Sequence, residues 1–166
     1  MTTTRSVTAA TWIRAERVEI SPSAHGRLGD ADYADAFRVA ADGFHPAEQW
    51  ARSAFEGPSS RQRRLFALAA WRGLLGLRLG PPDSPDHVAG WAIVVNEPGT
   101  VVLRTDSWLI DARLVIDGSK SETTMTTLVR YQRRAGHVVW AMAGILHRRL
   151  APRVLVRAAR SLARQG

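Results

Sequence analysis

The stretch Gly136-His137-Val138-Val139-Trp140-Ala141-Met142-Ala143-Gly144-Ile145-Leu146-His147-Arg148-Arg149-Leu150-Ala151-Pro152 runs on to Gly166 and reads as helix, directly after a run of strands. At about 100° per residue, Val138, Val139, Met142, Ile145 and Leu146 share one side, the expected face toward a sheet. Continued in that frame, the same side becomes Arg149, Arg153, Arg157, Arg160 and Arg164. The apolar side has moved to Val154, Leu155, Ala158 and Leu162. The switch falls at Ala151-Pro152, where proline removes a helical hydrogen bond and clashes with the preceding turn. A kink or break is expected there, dividing a core segment (137–149) from a basic helical segment (152–166) that shows arginine to solvent.

Upstream, from Val88, the period is two. Strand candidates at 91–95, 101–105, 109–116 and 122–131 follow at hairpin spacing, an antiparallel meander. Asp117-Gly118 is a favoured two-residue turn, which would set Ile116 opposite Ser119, Arg113 opposite Glu122 and Ile110 opposite Met125. Ile110, Ala112, Leu114 and Ile116 then share a core face with Met125, Thr127 and Val129. Asp111, Arg113, Thr124 and Glu122 share a wet one. An Arg113–Glu122 surface pair there is worth about 0.2–1 kcal/mol. The Asn96-Glu97-Pro98-Gly99 hairpin closes in several ways, leaving open whether Trp91, Ile93 and Val95 or Ala92 and Val94 face inward.

Earlier, residues 1–15 show no sustained period and read as a loose leader, with Trp12 and Ile13 available to dock. Arg17-Val18-Glu19-Ile20 is a short strand signal closed by Ser21-Pro22-Ser23. Residues 30–42 fit a strand (Tyr33, Asp35, Phe37, Val39) or a helix (Tyr33, Ala36, Phe37, Ala40). Phe44-His45-Pro46-Ala47-Glu48 starts a helix with apolar Trp50, Ala54 and Phe55, ended by Gly57-Pro58. A second helix, capped by Ser59 or Ser60, carries Leu65, Leu68, Trp71, Leu75 and Leu79 and stops at Gly80-Pro81. Its Gly73 and Gly76 each cost about 1 kcal/mol against alanine and need a packing or cavity reason.

At 166 residues with 45% hydrophobic and 23% charged residues, the chain fits one soluble globular domain (1–166) with a real core. It contains no cysteine, which excludes disulfides, thiolate nucleophiles and sulfur-based zinc sites. The polar start lacks the apolar region of a secretory signal, and the greasy run 65–79 is broken by Arg72 and Arg78, so a cytoplasmic protein is expected. The net charge of +8 rests on arginine, Lys120 being the lone lysine, and favours an acidic partner.

Catalytic and metal motifs are missing. His25, His45, His87, His137 and His147 show no metal spacing and no acidic partner at a helical step, so each reads as structural or solvated and no metal or cofactor is expected. The carboxylates and His87 of residues 83–87 read as a soluble connector. Ser23-Ala24-His25-Gly26 lacks the strand-turn-helix setting of a nucleophile elbow. Gly26-Arg27-Leu28-Gly29 lacks the lysine of a phosphate loop.

The order of elements is α+β, two helices, a meander and a long closing helix. Asp32-Tyr33-Ala34-Asp35-Ala36-Phe37, Trp50-Ala51-Arg52, Leu109-Ile110-Asp111-Ala112-Arg113, Thr126-Thr127-Leu128-Val129 and His147-Arg148-Arg149-Leu150 together resemble an uncharacterised bacterial family, common in actinobacteria. That family is related to the START and polyketide-cyclase (SRPBCC) superfamily. The resemblance covers the chain from about residue 30 onward. It implies a helix-grip fold, a curved antiparallel sheet wrapped around the last helix, with residues 33–39 as a strand and two helices inserted after it. It also implies a hydrophobic cavity between sheet and helix that takes a lipid, a polyketide or another small apolar molecule; it supplies no catalytic residue.

Cavity candidates are Trp71, Trp91, Ile110, Leu114, Met125, Thr127, Val129, Trp140 and Met142, with Trp108 on a converging element. Thr127 stands out, because a hydroxyl on an apolar face needs a partner. Arg104 and Asp106 are polar cavity candidates if the second hairpin turns their face inward, since a charge in an apolar pocket must be paired. The expected function is carriage of a small hydrophobic molecule. One alternative is a cavity enzyme of aromatase, cyclase or hydrolase type. The other is contact with anionic membrane, or less favourably nucleic acid, through Arg149, Arg153, Arg157, Arg160 and Arg164. Few aromatics sit among those arginines, which counts against single-strand binding.

Overall fold

The computed structural model describes residues 13–57, 72–82 and 84–165. Its strands are β1 (Glu16–Val18), β2 (Tyr33–Ala40), β3 (His87–Val88), β4 (Trp91–Glu97), β5 (Thr100–Asp106), β6 (Ile110–Gly118) and β7 (Glu122–Tyr131). The helices are α1 (Pro22–His25), α2 (Ala47–Glu56) and α3 (Arg134–Leu162), and residues 72–75 are also helical. All seven strands join one curved antiparallel sheet in the order β1-β2-β7-β6-β5-β4-β3. The protein is therefore α+β, a single sheet with a long C-terminal helix.

Residues 33–40 are strand, which settles the ambiguous stretch: Tyr33, Asp35, Phe37 and Val39 pair with Val129, Thr127, Met125 and Thr123 of β7. On that face Phe37, Leu103, Leu114, Ile116 and Met125 pack with Trp50 and Ala51 of α2 and with Leu155, Ala158 and Leu162 of α3. Full burial of one such side chain is worth about 1.5–3 kcal/mol. The opposite face is covered in part by Ala24 and Leu28 over Val102, Val115 and Leu128.

Four expectations are corrected. The β6–β7 turn does not use Asp117-Gly118. Asp117 and Gly118 stay in the ladder, and Ile116 faces Met125 rather than Ser119. The turn falls at Ser119-Lys120-Ser121, where the Ser119 hydroxyl accepts from the N–H groups of Ser121 and Glu122. The new register is offset by an even number of residues, so each side chain keeps its face. Arg113 consequently meets Leu128, and its guanidinium reaches the carbonyl of Arg27. Glu122 pairs with Arg38 instead, at 3.5 Å.

The closing helix is not broken at Pro152; it is helical throughout Arg134–Leu162. Nor do Val138, Met142, Ile145 and Leu146 face the sheet, being 50–61% exposed. The buried side is Gly136, Trp140, Ala143, Gly144, Ala151, Leu155, Ala158 and Leu162, one phase along the whole helix. Small residues win that side because the helix lies close: a Cβ on Gly136 would run into the carbonyl oxygen of Leu109. Arg149, Arg153, Arg157, Arg160 and Arg164 face solvent.

The helix expected to reach Leu79 ends at Leu75. Gly76 takes φ +60, which only glycine adopts cheaply, and residues beyond it leave the helix, with Arg78 N–H bonded to the Asp106 carbonyl at 2.8 Å. Among the described residues nothing lies within 4 Å of a Cβ placed on Gly73, so their packing does not explain it. In β4, Trp91 and Ile93 face inward. A bulge between Ile93 and Val95 leaves Val94 exposed and turns Val95 to the outer face against Val102.

Candidate functional site

The sheet's inner face and α3 do not fill the space between them. A cavity of about 220 Å³ remains, floored by Leu103, Ile110, Ala112, Leu114, Met125 and Thr127. Trp140, His147, Leu150, Ala151 and Val154 of α3 form one wall. Phe55, Leu75, Leu77, Val88, Ala89 and Trp91 form the other. Two features hold that second wall. Arg52 of α2 donates to the carbonyls of Pro85 and His87, and Glu56 accepts the Ala89 N–H at 2.8 Å. Among the described residues, Ala89 is the non-glycine residue held at positive φ, 49°.

The lining is apolar except at one end. Thr127 is 3% exposed, and its Oγ1 makes no hydrogen bond. Directly across the ladder is Asp35, whose side chain is fully buried. Tyr33 Oη donates to Asp35 Oδ2 at 2.5 Å, and His147 Nε2 lies 3.3 Å from Oδ1. The rings of Tyr33, Trp140 and His147 stack edge-on or tilted around this carboxylate.

Burial on its own pushes the Asp35 carboxyl up. The hydrogen bond and charge of His147, then the Tyr33 hydroxyl, outweigh it and hold the group below its ordinary value, with the Thr127 hydroxyl nearby across the ladder but not hydrogen-bonded. Asp35 is thus a carboxylate, an acceptor only, so the Nε2–H of His147 is the donor. Burial, then the bond to Asp35 and its charge, push the Tyr33 phenol up, with Arg148 acting weakly the other way. The result is an imidazole oriented by a carboxylate beside an unpartnered hydroxyl, an arrangement able to hydrogen-bond a ligand or move a proton.

Of the residues expected at a cavity, Trp91, Ile110, Leu114, Met125, Thr127 and Trp140 line it. Val129 is buried in the adjoining core, packed with Ile110 and Trp140. Met142 and Trp108 are corrected: they are 60% and 58% exposed, on outward faces. Trp71 lies outside the described residues. Arg104 and Asp106 do not enter the cavity. Arg104 pairs with Asp111 on the outer face at 3.4 Å, and Asp106 pairs with Arg78 at 3.1 Å. Arg153, Arg157, Arg160 and Arg164 gather with Arg14 around a separate groove of about 640 Å³ beside Ile13 and Pro152.

His147 and Asp35 were missed because the pair is 112 residues apart in sequence. One signal was legible: Asp35 falls in phase with Tyr33, Phe37 and Val39, and a carboxylate on an apolar strand face demands a partner. Among the described residues no cluster of His, Asp and Glu could hold a metal, and no helix is long and apolar enough to cross a membrane.

Residues 27–154 match the model of the family described as Protein of unknown function (DUF2867), more than half of the chain, and the protein belongs to that family. No curated protein and no solved structure matches.

Proposed function

We propose that the protein binds or carries a small hydrophobic molecule between its sheet and its last helix, in the manner of a START-like helix-grip protein. The observation that carries this reading is the apolar cavity of about 220 Å³. An engineered apolar cavity of about 150 Å³ is enough to take benzene, and drug-sized ligands need about 300–1,000 Å³. The occupant is accordingly small, one or two rings or a short acyl chain. Mass spectrometry of an organic extract of the purified protein, followed by titration with short fatty acids and aromatic polyketides, tests it. Ala112, on the cavity floor, supplies the control. Ala112→Leu should abolish binding; a bound molecule unaffected by that substitution would place the ligand elsewhere and sink the reading.

A second reading is favoured by the outer side of α3. Val138, Met142, Ile145 and Leu146 form an exposed apolar stripe that runs on into Arg149, Arg153, Arg157, Arg160 and Arg164. The arginines make no ion pair among the described residues. A second copy fits this face poorly, since antiparallel stacking sets arginine on apolar side chains and parallel stacking sets arginine on arginine. An anionic lipid surface suits both halves, acyl chains for one and headgroups for the other. Co-sedimentation with anionic vesicles that falls with salt and with Ile145→Asp is expected; equal binding to zwitterionic vesicles would refute it.

A further inference from the structure

The polar end of the cavity constrains what kind of molecule enters it, and this step rests on the cavity reading above. Thr127 presents a buried hydroxyl with both donor and acceptor capacity that makes no hydrogen bond, although Asp35 lies across the ladder from it. His147 reaches the same cavity with Nε2 committed to Asp35, and its Nδ1 makes no hydrogen bond among the described residues. A ligand group that can both donate and accept offers each of these two groups a partner. A purely apolar ligand leaves Thr127 unpaired, which is costly in a dry site.

Charge narrows the class further. The described lining contains no Lys, Arg, Asp or Glu. The Asp35 carboxylate already occupies His147, and Arg148 is exposed, acts on the Tyr33 hydroxyl and does not line the cavity. A ligand carboxylate would be buried without a counter-charge of its own and close to Asp35, an expensive placement. We infer that the cavity selects a small neutral molecule of one or two rings that bears a hydroxyl group, held between the Thr127 hydroxyl and the His147 imidazole. A fatty acid or aromatic carboxylate is selected against.

A matched series separates these outcomes: a naphthol, naphthalene and a naphthoate at neutral pH, titrated by calorimetry with the Met125 methyl followed by NMR to locate the ligand. The naphthol should bind about five- to tenfold more tightly than naphthalene, the size of one net hydrogen bond, and the naphthoate more weakly than either. Thr127→Val should erase the naphthol's advantage over naphthalene, while Thr127→Ser restores it. Equal binding of naphthol and naphthalene, or tightest binding by the naphthoate, overturns this inference and leaves the cavity reading standing. Failure of all three to bind overturns both.

Discussion

His147 on the last helix places Nε2 3.3 Å from Oδ1 of Asp35 on β2, so the helix is fastened to the sheet by a buried polar contact beside an otherwise apolar cavity. The Tyr33 hydroxyl holds the second carboxylate oxygen at 2.5 Å. Because the Asp35 carboxyl lies below its ordinary value, its ionised form stabilises the fold fully above the unfolded pKa of about 3.9, and that contribution fades as pH falls through the lower folded value. Asp35→Asn should cost about 1.5–3 kcal/mol at neutral pH, the range for hydrogen bonds to a charged group. Urea unfolding should show the gap between parent and variant closing in acid. A gap that stays constant into strong acid would mean that the carboxylate charge contributes nothing.

Tyr33 titrates in the opposite sense. Burial first, and then its bond to Asp35, push the phenol above its usual value, while Tyr131 is raised by burial and by Asp32. The protonated phenol therefore stabilises the fold fully up to the unfolded pKa of about 10, and this contribution is lost as pH rises through the raised value. Ultraviolet titration should show both tyrosines ionising late, and Asp35→Asn should bring one of them forward. Ordinary ionisation of both in the folded protein would contradict the geometry.

At Gly136 the last helix lies directly against the backbone that leads into β6. A methyl group there meets the Leu109 backbone, which cannot rotate away as a side chain can. Gly136→Ala gains helix propensity of about 1 kcal/mol but forces the helix off the sheet, and overpacking of that kind costs about 1–3 kcal/mol. A net loss in urea-unfolding stability is expected, with Gly144→Ala as the milder comparison, since its neighbours are the side chains of Arg148 and Trp140.

How these contacts relate to the sequence depends on range. The inner faces of β6 and β7 followed from alternation alone, since Ile110, Ala112, Leu114 and Met125 kept their side even though the turn had moved to Ser119-Lys120-Ser121. Parity is local information; register depends on which residue closes the turn. The helix misled for a different reason. Greasy residues were assigned inward, but close packing put Gly136, Ala143 and Gly144 there and left Met142 and Ile145 outside. Trp140 and Thr127 were legible as site residues from their types and phases. Asp35 and His147 became a pair only once the sheet and helix were assembled.

Ala89 is strained for the sake of the cavity wall. Its φ of 49° lies in the left-handed region, where an L-residue pays about 1–2 kcal/mol, and Glu56 clamps its N–H. Ala89→Gly relieves that strain but frees the unfolded chain, for a net gain of a few tenths to about 1 kcal/mol in chemical denaturation. Glu56→Gln, which weakens the clamp and leaves the φ requirement, should lose stability in the parent and less in Ala89→Gly. Additive effects of the two substitutions would show that the clamp and the strain are unconnected.

Thr127→Val tests whether the cavity is built at the expense of stability. The hydroxyl is buried at 3% exposure without a partner, and an unsatisfied polar group costs about 1–3 kcal/mol, whereas valine has nearly the same shape and no such group. A residue kept only for packing would be improved by the exchange. The ligand-free variant should unfold at higher urea concentration than the parent, by about 1 kcal/mol, and the difference should shrink or reverse when a hydroxyl-bearing ligand fills the cavity. Loss of stability without ligand would assign the Thr127 hydroxyl to the fold itself.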